Sequence, residues 1–407
     1  MSVPRLLVIS PPCHQPVNRA IYRELADRHG VAVHLAVPRR LFVGSRWRNT
    51  PQGTPAPYEL TMLDIVGTHS RLQGLRGLDE LARKWKPTHV LVDNDPATLM
   101  TWQAARACKG AELWALTAEN IAPSYARDIL AGMKSLKPAR MAGPLLTWLF
   151  RTFLHPRVDH VFTLSCDGTR VMEAMGFRGR TTQIPLGFDP ALFRIQSSEQ
   201  IASTRSRLGL IHPTVAYFGR LAPEKGVHLL MDALATINDV PWQLLIDNFS
   251  DYQTDYTAQL EARIASLGIA DRVVHFDARH DEMPAYMNAA DIVVLPSLST
   301  PKWKEQYGRV LPEAMACGKL VVGSNSGAVP ELVAAHGRIF PEGVVSELIA
   351  VLRELLGTEA SERLAAGKRA SAYARANLSI TRQADILVAM LTRRSSQSLT
   401  MLEQETE

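Results

Sequence analysis

Two carboxylates, Glu305 and Glu313, stand eight residues apart in the segment Glu305-Gln-Tyr-Gly-Arg-Val-Leu-Pro-Glu313-Ala-Met-Ala-Cys-Gly318. They bracket the start of a helix. Pro312 and Glu313 suit a first turn, because a missing N–H and a negative charge are both tolerated there. Gly318 stops the helix. Gly308 lets backbone come close to a ligand, and the amides of Tyr307, Gly308, Arg309 and Val310 are expected to form an anion site. A diphosphate held there, with one glutamate on each side to accept from sugar hydroxyls, makes a coherent pocket. Taken alone, Glu313 is equally well read as a favourable first-turn acid. Upstream, Val215-Ala-Tyr-Phe-Gly219-Arg220-Leu-Ala-Pro-Glu-Lys225-Gly226 reads as strand, tight turn and helix. Arg220 and Lys225 in that turn have the charge to clamp phosphate oxygens and neutralise a leaving group. The segment lacks the G-x-x-x-x-G-K-[ST] pattern of a Walker loop. By itself it reads as a solvated pair of surface cations.

Something must bring these loops together. Apolar runs of strand length alternate with helical runs through most of the chain. In the first half the expected strands are Leu6–Ser10, Val31–Val37, His89–Val92, Leu113–Thr117 and His160–Leu164. In the second half they are Val215–Phe218, Trp242–Ile246, Val273–Phe276, Ile292–Leu295 and Leu320–Gly323. Strands alternating with helices imply parallel sheets covered on both faces. The expectation is an α/β protein of two doubly wound Rossmann-like domains facing across a cleft, with ligands at the carboxyl ends of the strands. The boundaries are read as 1–188 for the first domain and 189–370 for the second. A C-terminal helix over 371–394, packing back on the first domain, and a polar tail over 395–407 complete the chain. One unbroken helix is expected over Glu362–Arg394, since it contains no proline.

In combination these motifs resemble the retaining glycosyltransferases of family 4, with the GT-B fold. FGRLAPEKG is similar to that family's phosphate-clamp segment, and EQYGRVLPEAMACG resembles its E-x7-E motif. Gly323-Ser-Asn-Ser-Gly327-Ala-Val-Pro-Glu331 resembles the turn and acid that follow, and Ile184-Pro-Leu-Gly-Phe-Asp189 its hinge. The resemblance is strong over residues 160–345 and weak before them. It implies that Arg220 and Lys225, beside Gly219, grip a donor diphosphate. It implies that Glu313 binds the nucleotide ribose, that Glu305 meets hydroxyls of the transferred sugar, and that amides around Tyr307, Gly308, Arg309 and Val310 hold diphosphate or sugar. It implies no metal and no cofactor beyond a nucleotide diphosphate sugar as co-substrate. Two segments depart from the family's Gly-rich pattern: Ser10-Pro-Pro-Cys-His-Gln-Pro-Val17 and Leu245-Ile-Asp-Asn-Phe-Ser250.

On the acceptor side, the strand Leu113–Thr117 runs into Ala118-Glu119-Asn120. Glu119 and Asn120 are candidates for lining the reaction centre. A helix cap before Ile121 is the competing reading. Asp93-Asn94-Asp95-Pro96 ends another strand in the same way, and His14 is expected near the cleft mouth, where a lone histidine is more often structural.

The remaining composition narrows the class. The 407 residues carry 45 Lys and Arg against 40 Asp and Glu, a net charge of +5, and 46% are hydrophobic, which is a globular composition. No apolar run reaches the ~20 residues that span a bilayer, and the N-terminal apolar run is too short for a signal peptide. The four cysteines show no C-x-x-C spacing, which argues against a disulfide framework or a zinc site. A cytoplasmic location is expected. The first 190 residues carry a balance of +9 and the rest −4, so the first half is expected to meet something anionic. Residues 134–157 and 38–48 mix cations with aromatic residues and together could form a surface that meets anionic lipid at the inner face of the membrane; for the Arg39–Arg48 loop an acceptor or surface role is the favoured reading. For Leu145–Leu154 an amphipathic helix packed on the sheet is the competing reading. No nucleic-acid-binding motif is present. With the basic first half, the family resemblance implies transfer of a hexose, with retention, to a glycan or lipid-linked acceptor in polysaccharide or cell-envelope synthesis. The alternative is a non-catalytic GT-B-like module that binds a nucleotide sugar or glycan.

Overall fold

The computed structural model describes the chain apart from residues 1–2, 44–45, 68–69, 123–144, 146–147, 150, 249–253 and 405–407. It divides into two compact units, Met1–Pro185 with Ile380–Glu407, and Leu186–Ser379.

The first unit is built on a seven-stranded sheet. Its strands lie in the order Arg180–Gln183, His160–Thr163, Glu112–Thr117, His89–Val92, Arg5–Ile9, Ala32–Pro38 and Glu59–Leu63. Every pairing is parallel. The chain starts in the middle, moves to one side, then crosses back beyond Arg5–Ile9. That crossing sets a topological switch between Arg5–Ile9 and His89–Val92, the place where open α/β sheets bind ligands. The central strands are apolar on both faces, with Leu6, Leu7, Val8 and Ile9 fully buried, as expected of a sheet covered by helices on each side. The helix Ile380–Gln404 belongs to this unit and meets the helix Ala20–His29. Thr381 Oγ1 donates to Glu24 Oε1 at 3.0 Å, and Asp385 faces Arg28 at 3.7 Å.

The second unit repeats the plan with six parallel strands in the order Val273–Phe276, Gln243–Asp247, Thr214–Ala216, Ile292–Leu295, Leu320–Ser324 and Arg338–Phe340. Its switch point lies between Thr214–Ala216 and Ile292–Leu295. The loops leaving these two strands are the two segments that carry the candidate chemistry.

The expected helix over Glu362–Arg394 is two helices, Ala360–Asn377 and Ile380–Gln404. The break at Leu378–Ser379 needs no proline. Ser379 bridges to Phe188, the Phe188 amide donates to the Leu378 carbonyl at 3.3 Å, and Ser379 Oγ takes up the Arg375 carbonyl at 2.7 Å. Tertiary pairing thus outcompetes helix propagation there. The first of the two helices is fastened inside the second unit, where Ser371 Oγ donates to the Ala316 carbonyl at 2.9 Å.

Candidate active site

In the second unit, Lys225 ends a short 3-10 turn, Pro223–Lys225, and precedes the helix Val227–Thr236. Its Nζ donates to Glu305 Oε2 at 2.6 Å. Ser297 Oγ, just past the strand Ile292–Leu295, donates to the same oxygen at 2.7 Å. The indole of Trp303 lies against the ammonium, 5.0 Å from ring centroid to Nζ, a cation–π contact that holds the lysine without neutralising it. Both members of the pair are largely buried, so their attraction is far less screened than that of a surface pair.

A shell of small residues fixes the Glu305 backbone. Its amide donates to Ser326 Oγ at 3.4 Å, and its carbonyl accepts from Ala328 N–H at 3.1 Å. Ser326 Oγ lies 2.9 Å from Ser299 Oγ, and Ser324 Oγ donates to the Ser297 carbonyl at 2.5 Å. Gly327, with φ +53°, passes so close to the Glu305 carbonyl that a Cβ would collide with it. The turn Gly323–Glu331 therefore acts as the mould for the loop that carries Glu305.

Arg220 and Glu313 do not join the Lys225–Glu305 pair directly. Arg220 is 68% exposed and pairs with Glu224 at 3.3 Å. Its carbonyl accepts from Tyr217 Oη at 2.7 Å, and the buried Tyr217 phenol, which links Arg220 to the surroundings of Glu305, has its ionisation pushed well up by burial and by the Glu305 charge. Gly219 lies between them with φ +148°. Glu313 lies in the first turn of the seven-residue helix Val310–Ala316, paired with Arg309 at 3.5 Å. Burial pushes its carboxyl up to about 7, and Arg309 opposes the shift. Tyr307 is buried, and Gly308 turns the chain with φ +82° under the side chain of Leu295. In place of the expected grouping of two acids with two cations stand three ion pairs: Lys225–Glu305, Arg309–Glu313 and the exposed Arg220 with Glu224.

In the first unit, the strand Glu112–Thr117 delivers Glu119 and Asn120. Glu119 pairs with Arg71, which also faces Asp95 at 3.7 Å. Thr117 Oγ1 donates to Asp95 Oδ1 and accepts from the Glu119 amide at 3.1 Å. Burial, and then Asp95, push the Glu119 carboxyl up to about 7, against the pull of Arg71. Asn120 is buried. At the switch point, Ser10 Oγ donates to Asp93 at 2.7 Å, and burial pushes that carboxyl up to about 6. His14 is buried, its Nδ1 at 3.2 Å from the Pro11 carbonyl, and burial holds it towards the neutral form. Among the described residues no group of three or more His, Cys, Asp or Glu could hold a metal ion.

Residues 205–373 match the family described as glycosyl transferases group 1. That match covers less than half of the chain. It is 32% identical over 181 residues to an MMP alpha-(1->4)-mannosyltransferase of Mycolicibacterium hassiacum, covering 42% of this chain and 39% of that protein. It is 26% identical over 330 residues to a 2-deoxystreptamine glucosyltransferase of Streptomyces kanamyceticus, covering 73% and 78%. The first three curated relatives are matched over only 33–39% of their own length. Among solved structures, Anabaena HepE in complex with UDP-glucose aligns with a TM-score of 0.64 at 20% identity, over 95% of this chain and 99% of that one. The two parallel sheets match those of GT-B glycosyltransferases.

Sequence reasoning missed Ser297, Trp303 and Ser326 around Glu305, and Arg71 around Glu119; Asp95, the other neighbour of Arg71, was named with the strand end Asp93–Pro96. Ser297 carried a signal, since it directly follows a buried strand on the side where such sheets bind ligands. Arg71 carried none, lying 48 residues from its partner. The Gly-less loop Ser10–Val17 folds as two 3-10 turns, Pro12–His14 and Pro16–Arg19. The buried guanidinium of Arg19 ties it down by donating to the carbonyls of Cys13 (2.8 Å), His14 (3.4 Å), Pro51 (2.8 Å) and Gln52 (2.6 Å). The other departing segment, Leu245–Ser250, lies partly outside the described residues.

Proposed function

We propose that the protein is a group 1 glycosyltransferase that moves a hexose from a nucleotide diphosphate sugar to a hydroxyl of a glycan or lipid-linked acceptor, keeping the anomeric configuration, in polysaccharide or cell-envelope synthesis. The observation that carries the reading is the Lys225–Glu305 pair, held by Ser297 and Trp303 at the switch point of the domain that matches the family. The UDP-glucose complex of the similarly folded HepE supports a nucleotide sugar as donor. Lys225 and Arg220 supply the positive charge that the departing diphosphate requires. Glu305 accepts from hydroxyls of the transferred sugar, Glu313 accepts from the ribose, and the backbone at Tyr307, Gly308, Arg309 and Val310 meets diphosphate or sugar. Gly219 leaves room beside Arg220. In the step itself the bond from the anomeric carbon to the diphosphate oxygen breaks. A new bond forms on the same face to the acceptor oxygen, and the hydroxyl proton passes to the leaving phosphate. Glu119 and Asn120 line the acceptor side and orient donor or acceptor. The proposed setting is the cytoplasm, at the inner face of the membrane, supported by the +9 balance of the first 190 residues.

The test is a screen of UDP-, GDP- and ADP-sugars with candidate acceptors, reading free nucleoside diphosphate. Release that depends on acceptor and is lost in Lys225→Ala supports the reading. Donor binding with no release under any acceptor favours a binding module instead.

A further inference from the structure

Arg71 sits on a 3-10 turn, Ser70–Leu72, and meets the carboxyl ends of two adjacent strands, His89–Val92 and Glu112–Thr117. Two acids wait there. Arg71 Nη2 donates to Glu119 Oε1 and lies 3.7 Å from Asp95 Oδ2. Both acids are fixed from behind. The Asp95 carbonyl accepts from Thr98 Oγ1 and from Thr101 Oγ1, each at 3.1 Å, and Thr98 caps the helix Leu99–Ala107. Thr117 Oγ1 donates to the Asp95 carboxylate while it accepts from the Glu119 amide. The Arg71, Asp95 and Glu119 side chains are 25%, 19% and 27% exposed. That leaves them within reach of a substrate hydroxyl, yet screened far less than surface charges.

The charges do not balance, since two carboxyl groups share one guanidinium. Among the described residues, the charged groups that act on Glu119 are these two, Asp95 and Arg71. Two ionised acids held together repel, and a proton on one lets it donate to the other. A protonated Glu119 directs its hydrogen at Asp95. An ionised Glu119 has lone pairs for a hydroxyl. Asp95 favours the first state and Arg71 the second. We infer that Arg71 is a positioning residue for the acceptor: it keeps the Glu119 carboxylate charged beside Asp95, so that Glu119 accepts from the hydroxyl that is to be glycosylated. A tie that merely fastened the turn Ser70–Leu72 would need one acid. The second acid makes the cluster titratable, and Arg71 sets which form prevails. The inference rests on the proposed place of Glu119 on the acceptor side.

Two measurements test it. The first needs no substrate. The full chain is labelled with ¹³C at glutamate carboxyls, and the Glu119 signal is assigned by its loss in Glu119→Gln. Its midpoint, expected near 7 in the wild type, should rise by about one pH unit or more in Arg71→Met and fall in Asp95→Asn, because an opposite charge is removed in one and a like charge in the other. Arg71→Lys should stay close to the wild type. The second reads UDP release from UDP-glucose with octyl glucoside as acceptor. kcat/KM for octyl glucoside should rise about tenfold from pH 6 to pH 8, with the change carried by KM, and this limb should move with the carboxyl midpoint in each variant. A purely structural role would lower activity without moving the limb, or move it the same way in Arg71→Met and Asp95→Asn. Either result overturns the inference, as does a carboxyl midpoint that shifts while the acceptor KM ignores pH. Absence of turnover in the wild type counts against the proposed function instead. The carboxyl titration then decides alone, and equal midpoints in wild type and Arg71→Met overturn the inference.

Discussion

Lys225 and Glu305, eighty residues apart in the chain, meet at 2.6 Å on an oxygen that also accepts from Ser297. A pair this buried is expensive to break from one side, because the partner keeps its charge and loses its compensation. Lys225→Ala should therefore do two things. It should lower donor turnover by about 10²-fold or more, the usual cost of removing a charge-stabilising donor. It should also lower the thermal midpoint, because Glu305 is left buried and uncompensated. Glu305→Gln in the Lys225→Ala background should restore much of the stability and none of the turnover. Circular dichroism melts and nucleoside diphosphate release separate the two effects. Full activity in Lys225→Ala would remove the site.

Glu313 gives a pH prediction with a definite sign. Burial raises its carboxyl from 4.5 to about 7 in the folded chain. Between those values the folded state holds a proton that the unfolded state has released, so stability falls as pH rises through this window and levels off above it. Glu313→Gln removes the titration. The difference in melting temperature, variant minus wild type, should grow from pH 5 to pH 8. A ribose hydroxyl donating to Glu313 favours its charged form, so donor binding near pH 6.5 should release a proton. Calorimetry in two buffers of different ionisation enthalpy reads that proton, and the variant should lack it.

How much of this could be read beforehand follows from which strands are buried on both faces. Ile292–Leu295 and His89–Val92 coincide with their expected limits because each is flanked by strands and fully buried. The strands Arg180–Gln183, Glu59–Leu63 and Arg338–Phe340 were missed, and all three are sheet edges. Their residues, such as Arg-Thr-Thr-Gln, are partly open to water and leave no apolar run to find. The fourth edge, Val273–Phe276, was legible through its Val-Val-His-Phe run although it is partly open. The same logic applies to the site. Glu305, Lys225 and Glu313 were legible because local turn chemistry marks them. Ser297, Trp303 and Arg71 act through contacts that only the folded sheet creates.

Arg19 shows a compensation invisible in composition. Where a Gly-rich turn would need little support, the turns of Ser10–Val17 are tied by one guanidinium spread over four carbonyls. Arg19→Met keeps the apolar stem and removes the donors. Loss of hydrogen bonds from a charged group, with buried carbonyls left behind, should cost about 3 kcal/mol. Hydrogen exchange should localise the loss to residues 10–19 and 50–53, with the second unit unaffected. Uniform loss across both units would mean the residue does something broader than hold this loop.

Gly327 tests whether the turn after the strand Leu320–Ser324 is a mould for the Glu305 loop or a passive link. It has φ +53°, a conformation that costs an L-residue roughly 1 kcal/mol or more, and its Cα faces the Glu305 carbonyl with no space for a methyl group. Gly327→Ala should therefore push the 305 loop away, lengthen the Ala328 N–H to Glu305 contact, and misalign the carboxylate that Lys225 and Ser297 hold. Turnover should fall at least tenfold while Glu313-dependent proton release on donor binding persists, because the helix Val310–Ala316 is anchored separately through Ser371. Gly343, with φ +77° but only ordinary van der Waals contact near its Cβ position, provides the control. Gly343→Ala carries the same kind of backbone strain without the collision. A matching loss of turnover in both variants would show that strain alone, and not the approach to Glu305, accounts for the effect.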